Sequence, residues 1–208
     1  NLYDYKYDEL LKLKGVPGIR GKIGIPLVLN LYDNLPFWHS FFTNLGYEVI
    51  LSDRSSKALY SLGQHTIPSD TICYPAKLVH GHIQSLIDKG LQTIFYPCMT
   101  YNVNEDMGDN HFNCPVVAYY PEVVEGNMNL EHVKFLYPYV YLEDKRIFDQ
   151  KMFEYFKARQ MDIPFKDVQA ASNHAYFAYQ QFKDRVQEEG RNAIAFARRN
   201  HRDVIVLA

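Results

Sequence analysis

Along the first half of the chain, short apolar runs rich in β-branched residues alternate with longer stretches whose apolar positions recur at helical spacing. Residues 22–29 form one such run, bounded by glycine on its leading side, and predict a buried parallel strand. Pro36 then predicts a helix start, with Phe37, Phe41, Phe42 and Leu45 on one face and Gly46 placed for a left-handed cap. Residues 47–51 predict a second strand. Asp53-Arg54-Ser55-Ser56 supplies capping groups for a short helix reaching about Leu62. Pro75 opens another helix, with Leu78, Val79, Ile83, Leu86 and Ile87 as its apolar side and Gly90 as its stop, and residues 93–96 predict a third strand.

The order β-α-β with short joints implies a parallel, doubly wound sheet with right-handed crossovers. The expected fold class is therefore α/β, a Rossmann-like or flavodoxin-like parallel sheet with flanking helices. Residues 99–113 are polar and asparagine-rich and read as a loop, after which Cys114-Pro115 begins a further apolar run over 116–120. Helical periodicity returns over 145–159 and 164–199, and residues 203–208 predict a closing strand. The chain accordingly divides into an N-terminal extension and linker (1–21), a Rossmann-like domain (22–143), and a helical segment with the first strand of a second lobe (144–208). A first residue Asn1 and a closing strand with no loop after it lead to the expectation that the chain is a piece of a longer protein.

Composition narrows the function classes. Hydrophobic residues make up 47% and charged residues 22%, the balance of an ordinary globular protein. Lysine and arginine total 22 against 24 acidic residues, so a net charge of −2 offers no bulk attraction to nucleic acid or anionic lipid. No apolar stretch reaches bilayer-crossing length and no basic-then-apolar leader is present, so neither a membrane nor export is expected. Three cysteines do not suit a secreted disulfide framework; they imply free thiols or metal ligands in a reducing cytoplasm.

Those cysteines, Cys73, Cys98 and Cys114, match neither a zinc knuckle nor a ferredoxin run in their spacing. Their placement is more informative. Cys73 precedes the helix that Pro75 opens, and Cys98 lies just past the carboxyl end of the third strand, both favoured addresses for a bound group. A helix amino terminus carries partial positive charge and free N–H groups, which favour a thiolate or an anionic cluster. The competing reading makes each cysteine a small buried apolar side chain.

The stretches Ile67-Pro-Ser-Asp-Thr-Ile-Cys-Tyr-Pro-Ala-Lys-Leu-Val-His-Gly-His82, Phe95-Tyr-Pro-Cys98 and Asn113-Cys-Pro-Val-Val117 carry a family likeness. With Ile23-Gly-Ile-Pro26 and Pro36-Phe-Trp-His39, they resemble the activase-related domain that accompanies the ATPase activators of 2-hydroxyacyl-CoA dehydratases. The likeness runs from about residue 22 to 122 and more loosely to the end. It implies Rossmann-like lobes, a 4Fe-4S cluster ligated by Cys73, Cys98 and Cys114, and an open iron position. It also implies a partner, either an ATPase activator domain or a dehydratase-like subunit, with a homodimer as a further arrangement. One conflict stands out: if residues 116–120 form a strand parallel to the third, Cys114 begins it and falls at the sheet edge opposite Cys98.

Further residues near these cysteines are candidates for binding. Lys77 could pair with an anionic ligand, and His80 or His82 could join the site, although a pair two residues apart does not share a helical face. A polar contact from the helix side is the alternative for each histidine, and a solvated lysine for Lys77. His39 and His111 read as packing or surface residues, while Ser69 and Asp70 suit a turn or cap, Asp70 alternatively orienting a histidine. Gly15, Gly18 and Gly21 precede the first strand, so no phosphate-binding loop is present and ATP binding is not expected. No nucleophile elbow or Ser-His-Asp pattern appears. Three functions remain: an iron–sulfur redox module, a noncatalytic scaffold that docks an activator, and a zinc site of three cysteines with His80, His82 or His111.

Overall fold

Pro26 ends the first apolar run early, because proline removes the N–H that the ladder needs, and β1 is Lys22–Ile25. The computed structural model describes residues 1–106 and 108–206. Four parallel strands, β1, β2 (Glu48–Leu51), β3 (Thr93–Phe95) and β4 (Lys134–Leu136), lie in the order β2-β1-β3-β4. This is the flavodoxin-like arrangement, with its topological switch between β1 and β3. Register pairs Lys22 to Ile25 with Glu48 to Leu51, and Thr93 to Phe95 with Lys134 to Leu136.

Helices cover both faces. On one side lie α1 (Leu2–Leu11), α2 (Leu31–Asn44), α6 (Lys145–Ala158) and α7 (Phe165–Arg199), with α7 packed along α2. The other side holds α3 (Lys57–Gly63), α4 (Tyr74–Asp88) and α5 (Pro115–Asn127). Aromatic rings fill the first interface. Phe95 of β3 meets Trp38 at 4.6 Å and Phe42 at 4.7 Å between centroids, and Phe41 meets Phe148 of α6 at 5.4 Å. Such a core is held by burial plus edge-to-face contacts.

Within that core the Trp38 indole N–H is buried without a partner. Leaving a donor unpaired costs about 1–3 kcal/mol, which offsets much of what the larger ring contributes. Trp38→Phe is therefore expected to change stability by less than about 1.5 kcal/mol, read from the urea midpoint by circular dichroism.

Several expectations are corrected. Helix α2 begins at Leu31, so Pro36 lies inside it instead of at its start. Residues 116–120 belong to helix α5, in which Pro115 occupies the first turn where a missing N–H costs nothing. The strand that follows β3 is β4, a short run that the pattern did not reveal. Residues 203–206 form no strand, while Leu207 and Ala208 lie outside the described residues. Phe148, Met152, Phe156, Val168, Ala171 and Ala175, from α6 and α7, are buried in the same cluster as the sheet residues.

Candidate functional site

All four strands are parallel, so the helices returning between them run the opposite way and open their amino termini at the strands' carboxyl edge. That geometry brings the cysteines to one edge. Cys73 is the N-cap of α4 and Cys114 the N-cap of α5, with nearly identical backbones (φ −62°, ψ 151° and φ −62°, ψ 156°). Each is followed by a proline within two residues and caps nothing with its side chain, and both are exposed. The conflict over Cys114 disappears, because its successor is a helix instead of a strand.

Cys98 lies three residues beyond β3 and is fully buried. Its N–H donates to the Pro138 carbonyl at 2.9 Å and its own carbonyl accepts from the Val140 N–H at 3.1 Å, extending the β3–β4 pairing to the sheet edge. Burial pushes the Cys98 thiol up to about 12, with the neighbouring Tyr139 hydroxyl acting in the opposite direction. A thiolate there needs a compensating cation.

Tyr96 stands two residues before Cys98, and side chains at that spacing share a face of extended chain. Its ring is wholly buried and its hydroxyl has no hydrogen-bond partner. Desolvation holds this hydroxyl far above the ordinary tyrosine range, and negative charge at Cys98, Tyr120, Cys114 or Cys73 pushes it the same way. All three cysteines lie toward the strands' carboxyl edge, Cys73 and Cys114 at helix starts and Cys98 just past β3.

Tyr120, on α5, contacts His80 on α4 across the same region, its hydroxyl 3.0 Å from Nε2. Thr66 donates to the Gly63 carbonyl at 2.8 Å, and its oxygen lies 2.7 Å from His80 Nδ1. Since the Thr66 proton is spent on Gly63, His80 Nδ1–H must donate to Thr66. Burial lowers the His80 pKa to about 4, so the ring is neutral and Nε2 accepts from Tyr120. The direction of the whole chain follows: Tyr120 to His80 to Thr66 to Gly63.

The remaining candidates are distributed more widely. The Lys77 ammonium donates to the Asp70 carbonyl at 2.8 Å, tying the preceding loop to α4, while the Ser69 and Thr71 hydroxyls bond to one another. His82 is buried between Ser52 (2.7 Å) and Ser55 (3.0 Å), and the Ser52 oxygen also receives the Leu27 N–H at 2.8 Å. Its pKa too is lowered to about 4 by burial. His39 bonds the Lys14 carbonyl at 2.9 Å, and His111 pairs with Glu143 at 3.1 Å. Among the described residues, no three His, Cys, Asp or Glu side chains are close enough to hold one metal ion.

A cleft lies elsewhere, between the start of α2, residues 102–105 and 108–112, and α7. Its Lys6 and Lys183 already pair with Asp33 and Glu105, and it presents no orphaned buried polar atom among the described residues. We place the candidate chemistry at the cysteines. Sequence reading missed Tyr96, Tyr120 and Thr66 as neighbours of that site. Only the two-residue spacing of Tyr96 from Cys98 could have signalled one of them.

Fold and site together define a flavodoxin-like α/β domain with free thiols at the carboxyl edge of its sheet. The chain belongs to the CoA enzyme activase uncharacterised domain family (DUF2229), whose model matches residues 22–208. No curated protein and no solved structure matches the chain. Among the described residues, no helix is long and apolar enough to cross a membrane.

Proposed function

We propose that this chain is the iron–sulfur redox module of a CoA enzyme activase system, with Cys73, Cys98 and Cys114 as thiolate ligands of a 4Fe-4S cluster. What supports this reading is the placement of all three cysteines at the carboxyl edge of the parallel sheet, Cys73 and Cys114 as helix N-caps and Cys98 three residues past β3. Two of these cysteines open helices, whose free N–H groups and partial positive charge favour a thiolate-bound anionic group. When bound, such a cluster supplies single-electron transfer at a potential set by charge, burial and hydrogen bonds to its sulfurs. With three protein thiolates, one iron keeps a position for another ligand.

The donor set suits a cluster better than a single zinc ion. Zinc–sulfur bonds of about 2.3 Å would bring all three sulfurs against one atom, whereas a cubane carries its thiolates on separate irons. The histidines offered for zinc are also committed elsewhere: His80 to Thr66 and Tyr120, His82 to Ser52 and Ser55, and His111 near Glu143. Lys77 and His80 then act around the site, Lys77 by fixing the loop that leads to Cys73 and His80 by orienting Tyr120. The partners this reading entails are an ATPase activator domain or a dehydratase-like subunit, in the cytoplasm.

The test is iron and acid-labile sulfide analysis of protein purified without oxygen, beside single Cys→Ser variants at 73, 98 and 114. Wild-type protein is expected to be brown, with about four irons per chain by the cluster's stoichiometry, and each variant to lose most of it. Equal iron in a variant removes that cysteine from the ligand set. Colourless protein with one zinc would favour the zinc site, and metal-free protein the noncatalytic scaffold.

A further inference from the structure

The two segments that leave the topological switch, the start of α2 after β1 and the chain after β3, wall the cleft whose far side is α7. Its volume is about 570 Å³. In open parallel sheets the crevice beyond the strand ends at such a switch is where ligands are held, and this volume falls in the range of small-molecule sites. None of the three cysteines lines it.

The polar groups left uncommitted in this cleft are amides. Lys6 is paired with Asp33, Lys183 with Glu105 and His111 with Glu143, so each of these cations is already matched by a carboxylate. Asn34 of α2 is 2% exposed, and its amide nitrogen faces the Met99 sulfur at 3.6 Å, a thioether that can only accept. The Asn34 oxygen is thereby left at the cleft surface, where it receives no hydrogen bond from the described residues. The oxygens of Asn104 and Asn110 accept the Asp106 and Phe112 N–H groups, which leaves both amide nitrogens free to donate. Phe112 is 62% exposed, its ring resting against Tyr101 at 4.5 Å between centroids.

We propose that this cleft binds an uncharged nucleoside through its base. The matched ion pairs offer no net charge to an anion or a cation, and a charged ligand has to break one of them. An amide presents a donor and an acceptor in one plane, the complement of a nucleobase edge, and an exposed aromatic ring supplies a stacking face. A sugar alone is a poorer match, because the carboxylates its hydroxyls would seek, Asp33 and Glu105, are held by lysines. The lack of a glycine-rich phosphate loop agrees with a ligand without phosphates. Asn34 reads the base edge and Phe112 covers its face. This assignment is independent of the cluster reading.

The test is isothermal titration calorimetry of the whole 208-residue chain with adenosine, adenosine monophosphate and methyl glucoside, beside Asn34→Leu and Phe112→Ala. Adenosine, with about twenty heavy atoms, is expected to bind wild-type protein with a Kd on the order of 0.1 mM. The monophosphate should bind within about threefold of it, since no unmatched cation meets the added charge, and methyl glucoside should not bind. Phe112→Ala should weaken adenosine about tenfold by removing the stacking face, and Asn34→Leu about tenfold by removing the acceptor. Wild-type protein that fails to bind millimolar adenosine overturns the assignment, and so does wild-type affinity in both variants, which places the nucleoside elsewhere. Monophosphate binding more than about tenfold tighter overturns the uncharged reading, and methyl glucoside binding as well as adenosine overturns the base. Thermal melting checks each variant; should Asn34→Leu not fold, Phe112→Ala decides alone, its ring being exposed.

Discussion

Gly81→Ala is expected to lower stability by about 3 kcal/mol or more, the opposite of what helix propensity alone dictates. Alanine is favoured over glycine within a helix by about 1 kcal/mol, so an unhindered site would gain. At Gly81 a Cβ would stand 2.0 Å from the Leu59 carbonyl oxygen, and at Gly63 one would stand 2.3 Å from the Gly81 nitrogen. Helices α3 and α4 therefore touch backbone to backbone, and neither side has a flexible group to give way. A methyl must push the helices apart. The histidines flanking Gly81 would suffer with it, because His80 reaches Thr66 just after α3 and His82 reaches Ser55 just before it. Overpacking at rigid contacts costs about 1–3 kcal/mol, and strained partners add to that. Gly126 in α5 has nothing within 4 Å of a built Cβ, so Gly126→Ala should gain up to about 1 kcal/mol. Urea midpoints of the two variants should move in opposite directions; a Gly81→Ala protein as stable as wild type would remove the close approach from consideration.

Acidification should destabilise the fold between about pH 6.5 and pH 4, well before general carboxylate protonation explains the loss. His80 and His82 are buried and neutral, with pKa values lowered to about 4 from an unfolded value of 6.5. In that window the unfolded chain binds protons that the folded chain refuses, so stability rises with pH and falls as pH drops. Below the folded value both states are protonated and the contribution is gone. Each histidine is worth about 3 kcal/mol over the full window at 1.36 kcal/mol per unit. His39, lowered by burial as well, acts in the same direction. Urea unfolding at pH 7.5 and pH 5 should differ by several kcal/mol in wild type, and by less in His82→Gln, which keeps an amide donor and acceptor but cannot charge. A His82→Gln protein with the full wild-type difference would assign the acid sensitivity to other groups.

Legibility in the sequence followed the range of each interaction. The β1-α2-β2 unit was readable because its apolar spacing and its glycines act locally: Gly46 has φ +88° where a left-handed cap was expected, and Gly90 has φ +77° beyond α4. Pro75 marks a helix start for the same reason. The run over 116–120 misled because a short apolar segment has no periodicity that separates a buried strand from a buried helix. Strand β4 was missed because Lys134–Leu136 is too short to show alternation.

What the sequence determined by itself was the α/β class, the strand-helix order as far as β3, and the places of Cys73 before a helix and Cys98 past a strand. The tertiary structure decided that these joints meet at one edge, because returning helices in a parallel sheet all begin where the strands end. It also decided the fate of each polar group. Whether Tyr96 finds an acceptor, or His80 a donor and an acceptor, depends on side chains tens of residues away, and no local pattern carries that pairing.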